Sequence, residues 1–106
     1  MPGPAEIQIQ LIADICAIAE RPFVEVVENN FAGHFNELQV TIKLRPESTD
    51  EEVIGLQNEL LTYLESVVNT PALTWLVKFM RGDEKLRSIF PGDKTRGPGE
   101  SVEWTQ

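Results

Sequence analysis

The chain has 106 residues, 42% of them hydrophobic and 25% charged, with a net charge of −8 and an isoelectric point near 4.5. Such a chain can bury a core of its own, so a wholly disordered protein is excluded and one globular domain is expected. The negative field disfavours general binding to nucleic acid, the single cysteine excludes an intrachain disulfide framework, and no apolar run is long enough to span a bilayer.

Residues 5–20 place Ile7, Leu11, Ile15 and Ile18 at helical spacing, with Ile12, Cys16 and Ala19 beside them. This stripe predicts a core-facing helix that Pro22 ends. Ile7, Ile9 and Leu11 also alternate with Gln8 and Gln10 as in a strand, but the Ala-rich continuation to Glu20 keeps the longer period. Cys16, between Ile15 and Ala17, is expected to be a small buried hydrophobe rather than a nucleophile.

Residues 23–29 are β-branched and aromatic, as strands prefer. Residues 35–44 contain a strict alternation: Leu38, Val40, Ile42 and Leu44 on one face, Gln39, Thr41 and Lys43 on the other. Together they predict an antiparallel hairpin, half-buried, with a loop over 30–34. A two-stranded hairpin is marginal alone, so a homodimer pairing hairpins edge to edge is expected, and a different protein partner would satisfy the same physics.

After Pro46, Ser48-Thr49-Asp50-Glu51-Glu52 offers two overlapping capping boxes, Ser48 with Glu51 and Thr49 with Glu52. The helix they open is expected to reach about Val68, with Val53, Leu56, Leu60, Leu64 and Val67 on its apolar stripe. Thr70-Pro71 resembles a second helix start, and Leu73, Leu76, Val77 and Met80 fit a third helix over 71–81 closed by Gly82. One or two further helical turns are expected over 83–90. Residues 91–106 form a Gly/Pro-rich tail in which Val102 and Trp104 flank Glu103, as in a short terminal strand pairing with the hairpin. The fold class is therefore α+β, a single domain over 1–90 in the order α-β-β-α-α, followed by the tail.

Charge is segregated along the chain. Residues 1–77 carry −9, residues 78–96 carry +3 through Lys78, Arg81, Lys85, Arg87, Lys94 and Arg96, and the last ten carry −2. Aromatic and arginine residues are enriched at the energetic centres of interfaces. Trp75, Phe79, Arg81, Lys85 and Arg87 are therefore the candidate partner contacts. A positive C-terminal part could also meet the negative helix of another copy.

Chemistry is poorly supplied. One histidine and one cysteine, far apart, exclude a structural zinc site, and Glu47, Asp50, Glu51 and Glu52 read as helix-start capping. No nucleophile elbow, phosphate loop or dinucleotide fingerprint occurs. No catalytic, cofactor-binding or metal residue is assigned. The expectation is a non-enzymatic, cytoplasmic, homodimeric interaction or regulatory domain without a cofactor. The alternative is a small-molecule-binding domain or minor enzyme using His34, with Asn30 or Asn36, at a dimer interface. A weaker alternative is an acidic mimic of nucleic acid.

Overall fold

The computed structural model describes residues 4–31, 37–68 and 74–104. They form an α+β domain in the order α1 (Pro4–Ile18), β1 (Val24–Phe31), β2 (Glu37–Leu44), α2 (Asp50–Val67), β3 (Thr74–Arg81) and β4 (Glu84–Lys85). The strands make one sheet in the order β1-β2-β3-β4. β1 and β2 pair antiparallel, β2 and β3 parallel across the α2 crossover, and β3 and β4 antiparallel.

The alternation in β2 sets the layering. Leu38, Val40, Ile42 and Leu44 are at most 1% exposed, and their outward neighbours are half-buried. Parallel register places Leu38, Val40 and Ile42 beside Trp75, Val77 and Phe79 of β3, which are buried too. Leu11 and Ile15 of α1 and Leu56, Leu60 and Leu64 of α2 close this face in a single core. Each such side chain contributes on the order of 1.5–3 kcal/mol by leaving water. Among the described residues no helix covers the opposite face, which carries Gln39, Thr41, Lys43 and Lys78.

The helix start at residue 49 uses the second of the two capping boxes. Thr49 accepts the Glu52 amide at 3.1 Å, and the Glu52 carboxylate accepts the Thr49 amide at 2.8 Å. Three acids in the first turn add a favourable interaction with the helix dipole.

The helix expected over 71–81 is a strand from Thr74 onward; residues 69–73, with the Thr70-Pro71 signal, lie outside the described residues. Trp75, Val77 and Phe79 alternate with Thr74, Leu76 and Lys78, and the neighbouring β2 edge captures that period of two. The turns expected over 83–90 are also extended. Gly82, at φ 63°, opens a two-residue turn into β4, the positive φ that a tight hairpin requires at that position. Val77 and Ile89 then exchange backbone hydrogen bonds at 3.1 and 3.0 Å.

Two further expectations change. The α1 face toward the core is Gln8, Leu11 and Ile15, with Ala19 buried just past the helix end, so Cys16, one residue past Ile15, is turned outward and exposed. The terminal segment bridges Leu86 through Glu103, beyond β4, rather than the hairpin, whose β2 edge β3 already occupies. The sheet the hairpin needed is thus supplied within the chain, and β1 remains at one edge.

Among the described residues no helix is long and apolar enough to cross a membrane, and no three His, Cys, Asp or Glu side chains gather as a metal site would require.

Candidate functional site

The five residues singled out for partner contact do not form one surface. Trp75 and Phe79 are 2% and 1% exposed, on the core side of β3. Arg81 is engaged within the chain. Its guanidinium donates to Asp50 at 2.8 Å, to the Ser48 carbonyl at 3.2 Å and to Glu84 at 3.4 Å, tying the β3–β4 turn to the start of α2. The hydrogen bond to Asp50 is the main reason its pKa is raised above the ordinary arginine value. Lys85 and Arg87 alone reach an open surface. His34 and Asn36 lie outside the described residues.

Lys85 and Arg87 meet a residue that was not on that list. The Leu86–Glu103 bridge, with the Arg87 amide on the Val102 carbonyl at 2.9 Å, sets the register of the terminal segment. One step along that register, Lys85 comes opposite Trp104. Its Nζ stands 5.2 Å from the centre of the indole, a cation–π contact. Trp104 itself is 52% exposed, while Val102, two residues earlier, is buried and anchors the segment.

Trp104 divides two clefts. The larger, about 390 Å³, lies on the helix-free sheet face between Thr41, Lys78, Met80, Lys85, Ser88 and the indole. The smaller, about 220 Å³, lies between Arg87, Ser88, Phe90, Arg96 and the same indole. Among the described residues neither Lys78, Lys85 nor Arg87 has a carboxylate within ion-pair distance, whereas Arg21, Lys43 and Arg96 each have one and Arg81 has two. The site thus offers unneutralised cations around an exposed aromatic plane, in a protein whose net charge is −8.

A third depression, about 480 Å³, runs between α1 and α2 past Ile7, Leu11 and Val67. Three of its polar groups are spent on each other, since the Tyr63 hydroxyl and the Gln10 amide both donate to the Asp14 carboxylate. It offers apolar wall and little to orient a ligand, so the Trp104 clefts are the stronger site.

No family model matches this chain, and no curated protein or solved structure shows a significant likeness to it. The site therefore rests on its own geometry. The charge segregation marks Lys78, Lys85, Arg87 and Arg96, of which Lys85 and Arg87 are the expected contacts, but it does not mark Trp104. The signal available was Trp104 itself, a large indole in a Gly/Pro-rich segment.

Proposed function

We propose that this protein is a non-enzymatic interaction module, and that the clefts on either side of Trp104 take an acidic segment of a partner protein. The observation that carries the reading is the Lys85–Trp104 pair, which presents a half-exposed indole among cations that no carboxylate of the described residues neutralises. Aromatic and cationic groups of this kind supply the centres of protein interfaces, and complementary charge speeds encounter. A short acidic segment suits the site better than a nucleic acid. The cationic area is small, and the rest of the molecule repels a long polyanion.

The test is equilibrium binding of synthetic Glu-rich peptides that carry one aromatic residue, to the intact chain and to the Lys78→Glu/Lys85→Glu double variant. Binding that weakens by at least tenfold in the variant, and that falls with added salt, supports the reading. Equal binding by both proteins contradicts it.

A homodimer is the second reading, and β1 favours it. Eight residues long and lying at the edge of the sheet, it offers unpaired backbone groups to a second strand. Sedimentation giving twice 11.9 kDa supports this reading, and 11.9 kDa at every concentration opposes it.

A further inference from the structure

The smaller cleft contains a feature that partner contact alone does not explain. The Arg96 side chain is 3% exposed. Its Nη2 donates to Asp93 Oδ2 at 3.1 Å and to the Ser88 carbonyl at 3.3 Å. Its Nε and Nη1 are buried and have no partner among the described residues. A guanidinium has five N–H donors, and a buried donor left without an acceptor costs about 1–3 kcal/mol, more when charged.

The position of this guanidinium is built. Asn58 on α2 holds the main chain of Arg96 from both sides, accepting its N–H and donating to its carbonyl, each at 2.7 Å. The cleft is lined by Arg87 as well, whose own internal contact is a long 3.4 Å to the Ser101 carbonyl. Asp93 pairs with the Arg96 guanidinium at 3.1 Å, whereas Arg87 has no carboxylate within ion-pair distance among the described residues, so one positive charge is left over. The remaining walls are Ser88 and two aromatic side chains, Phe90 and Trp104, 48% and 52% exposed. A cleft of about 220 Å³ is below the size of a drug-like pocket and fits a single head group.

We propose that this cleft is an oxyanion subsite, with Arg96 as its floor and Arg87 as its second cation, which receives one carboxylate or phosphate group carried on a flat apolar body. It rests on the reading of the Trp104 surface as a binding face and names the group that enters there. Arginine is suited to the task because its planar donors match the oxygens of both anions. The aromatic walls add contact area that an inorganic ion would not use.

The experiment titrates the full chain with benzoate, phenyl phosphate and inorganic phosphate, and follows the Arg96 Nε–H and Trp104 indole resonances. A saturable shift of both, with either aromatic anion, is expected. Inorganic phosphate should bind at least tenfold more weakly than phenyl phosphate, and Arg87→Gln should weaken the preferred anion by about tenfold, one charge-assisted hydrogen bond. Preference for phenyl phosphate identifies a phosphorylated source; preference for benzoate identifies an ordinary acidic one. Arg87→Gln keeps the test sound where Arg96→Gln fails to fold, because Arg87 is only half-buried. No saturable shift at Arg96 with any probe, or wild-type affinity in Arg87→Gln, overturns the subsite. The two readings fail separately. Acidic peptides that bind while the small anions leave Arg96 untouched remove the subsite alone. Small anions that bind while Lys78→Glu/Lys85→Glu leaves peptide affinity unchanged remove the proposed function alone.

Discussion

Asn58 acts as a strand partner for Arg96: its side-chain amide closes two hydrogen bonds of 2.7 Å onto the Arg96 main chain, 38 residues away. This clamp joins the Gly/Pro-rich segment to α2 and so fixes one wall of the smaller cleft. Replacing Asn58 with Ala leaves a partly buried N–H and C=O unpaired, at a cost of about 1–3 kcal/mol. The expected outcome is a lower denaturation midpoint together with faster tryptic cleavage after Lys94. Unchanged cleavage would mean that other contacts hold the segment.

The two tryptophans should behave oppositely. Trp75, on the core face of β3, and its neighbour Phe79 are almost fully buried. Trp75→Ala and Phe79→Ala should each destabilise by about 3–5 kcal/mol. Trp104→Ala removes a half-exposed ring and one cation–π contact, and should cost below about 1 kcal/mol. Urea denaturation of the three variants checks this. A large loss from Trp104→Ala would make that residue a structural anchor instead of a contact group.

Tyr63 is the sole tyrosine, so its titration is directly visible. Burial, and then its hydrogen bond to Asp14, raise its pKa above the ordinary 10.0. Both disfavour the charged phenolate. The unfolded chain therefore releases the proton first, and stability is fully present below pH 10 and falls as pH climbs above it. Ultraviolet titration of the folded protein should show a midpoint above 10, returning to about 10 in urea. A folded midpoint at 10 or below would remove the buried hydrogen bond from the account.

The capping box gives a narrower expectation. Thr49→Ala removes the acceptor of the Glu52 amide and should cost about 1 kcal/mol. Ser48→Ala removes no cap and should be close to neutral. Equal losses would indicate that the helix start shifts by one residue.

Local signals carried the fold as far as they reach. The period in Leu38–Leu44, the Ala-rich stretch before Glu20 and the Ser48–Glu52 cluster each specify one element, and each element formed. The segment 74–81 satisfies two periods at once. Leu76, Val77 and Met80 fit a helix, Trp75, Val77 and Phe79 fit a strand, and the choice is made by a pairing partner thirty-seven residues earlier in β2. Parallel pairing leaves no turn signal in the sequence, because the connection is itself a helix. Cys16 is exposed because it follows Ile15 by one residue, about 100° around α1 and off the face that Gln8, Leu11 and Ile15 bury. The site was half legible for a similar reason. Charge segregation marks Lys85 and Arg87, but Trp104 joins them only through the Leu86–Glu103 bridge, a contact with no local pattern.

The most direct measurement is backbone and indole NMR mapping of a Glu-rich, single-aromatic peptide on the intact chain. The account expects shifts concentrated at Lys78, Lys85, Arg87, Ser88 and Trp104, fading with salt and absent in Lys78→Glu/Lys85→Glu. Shifts centred instead on Ile7, Leu11 and Val67 between the two helices, or no saturable shifts at all, would contradict it.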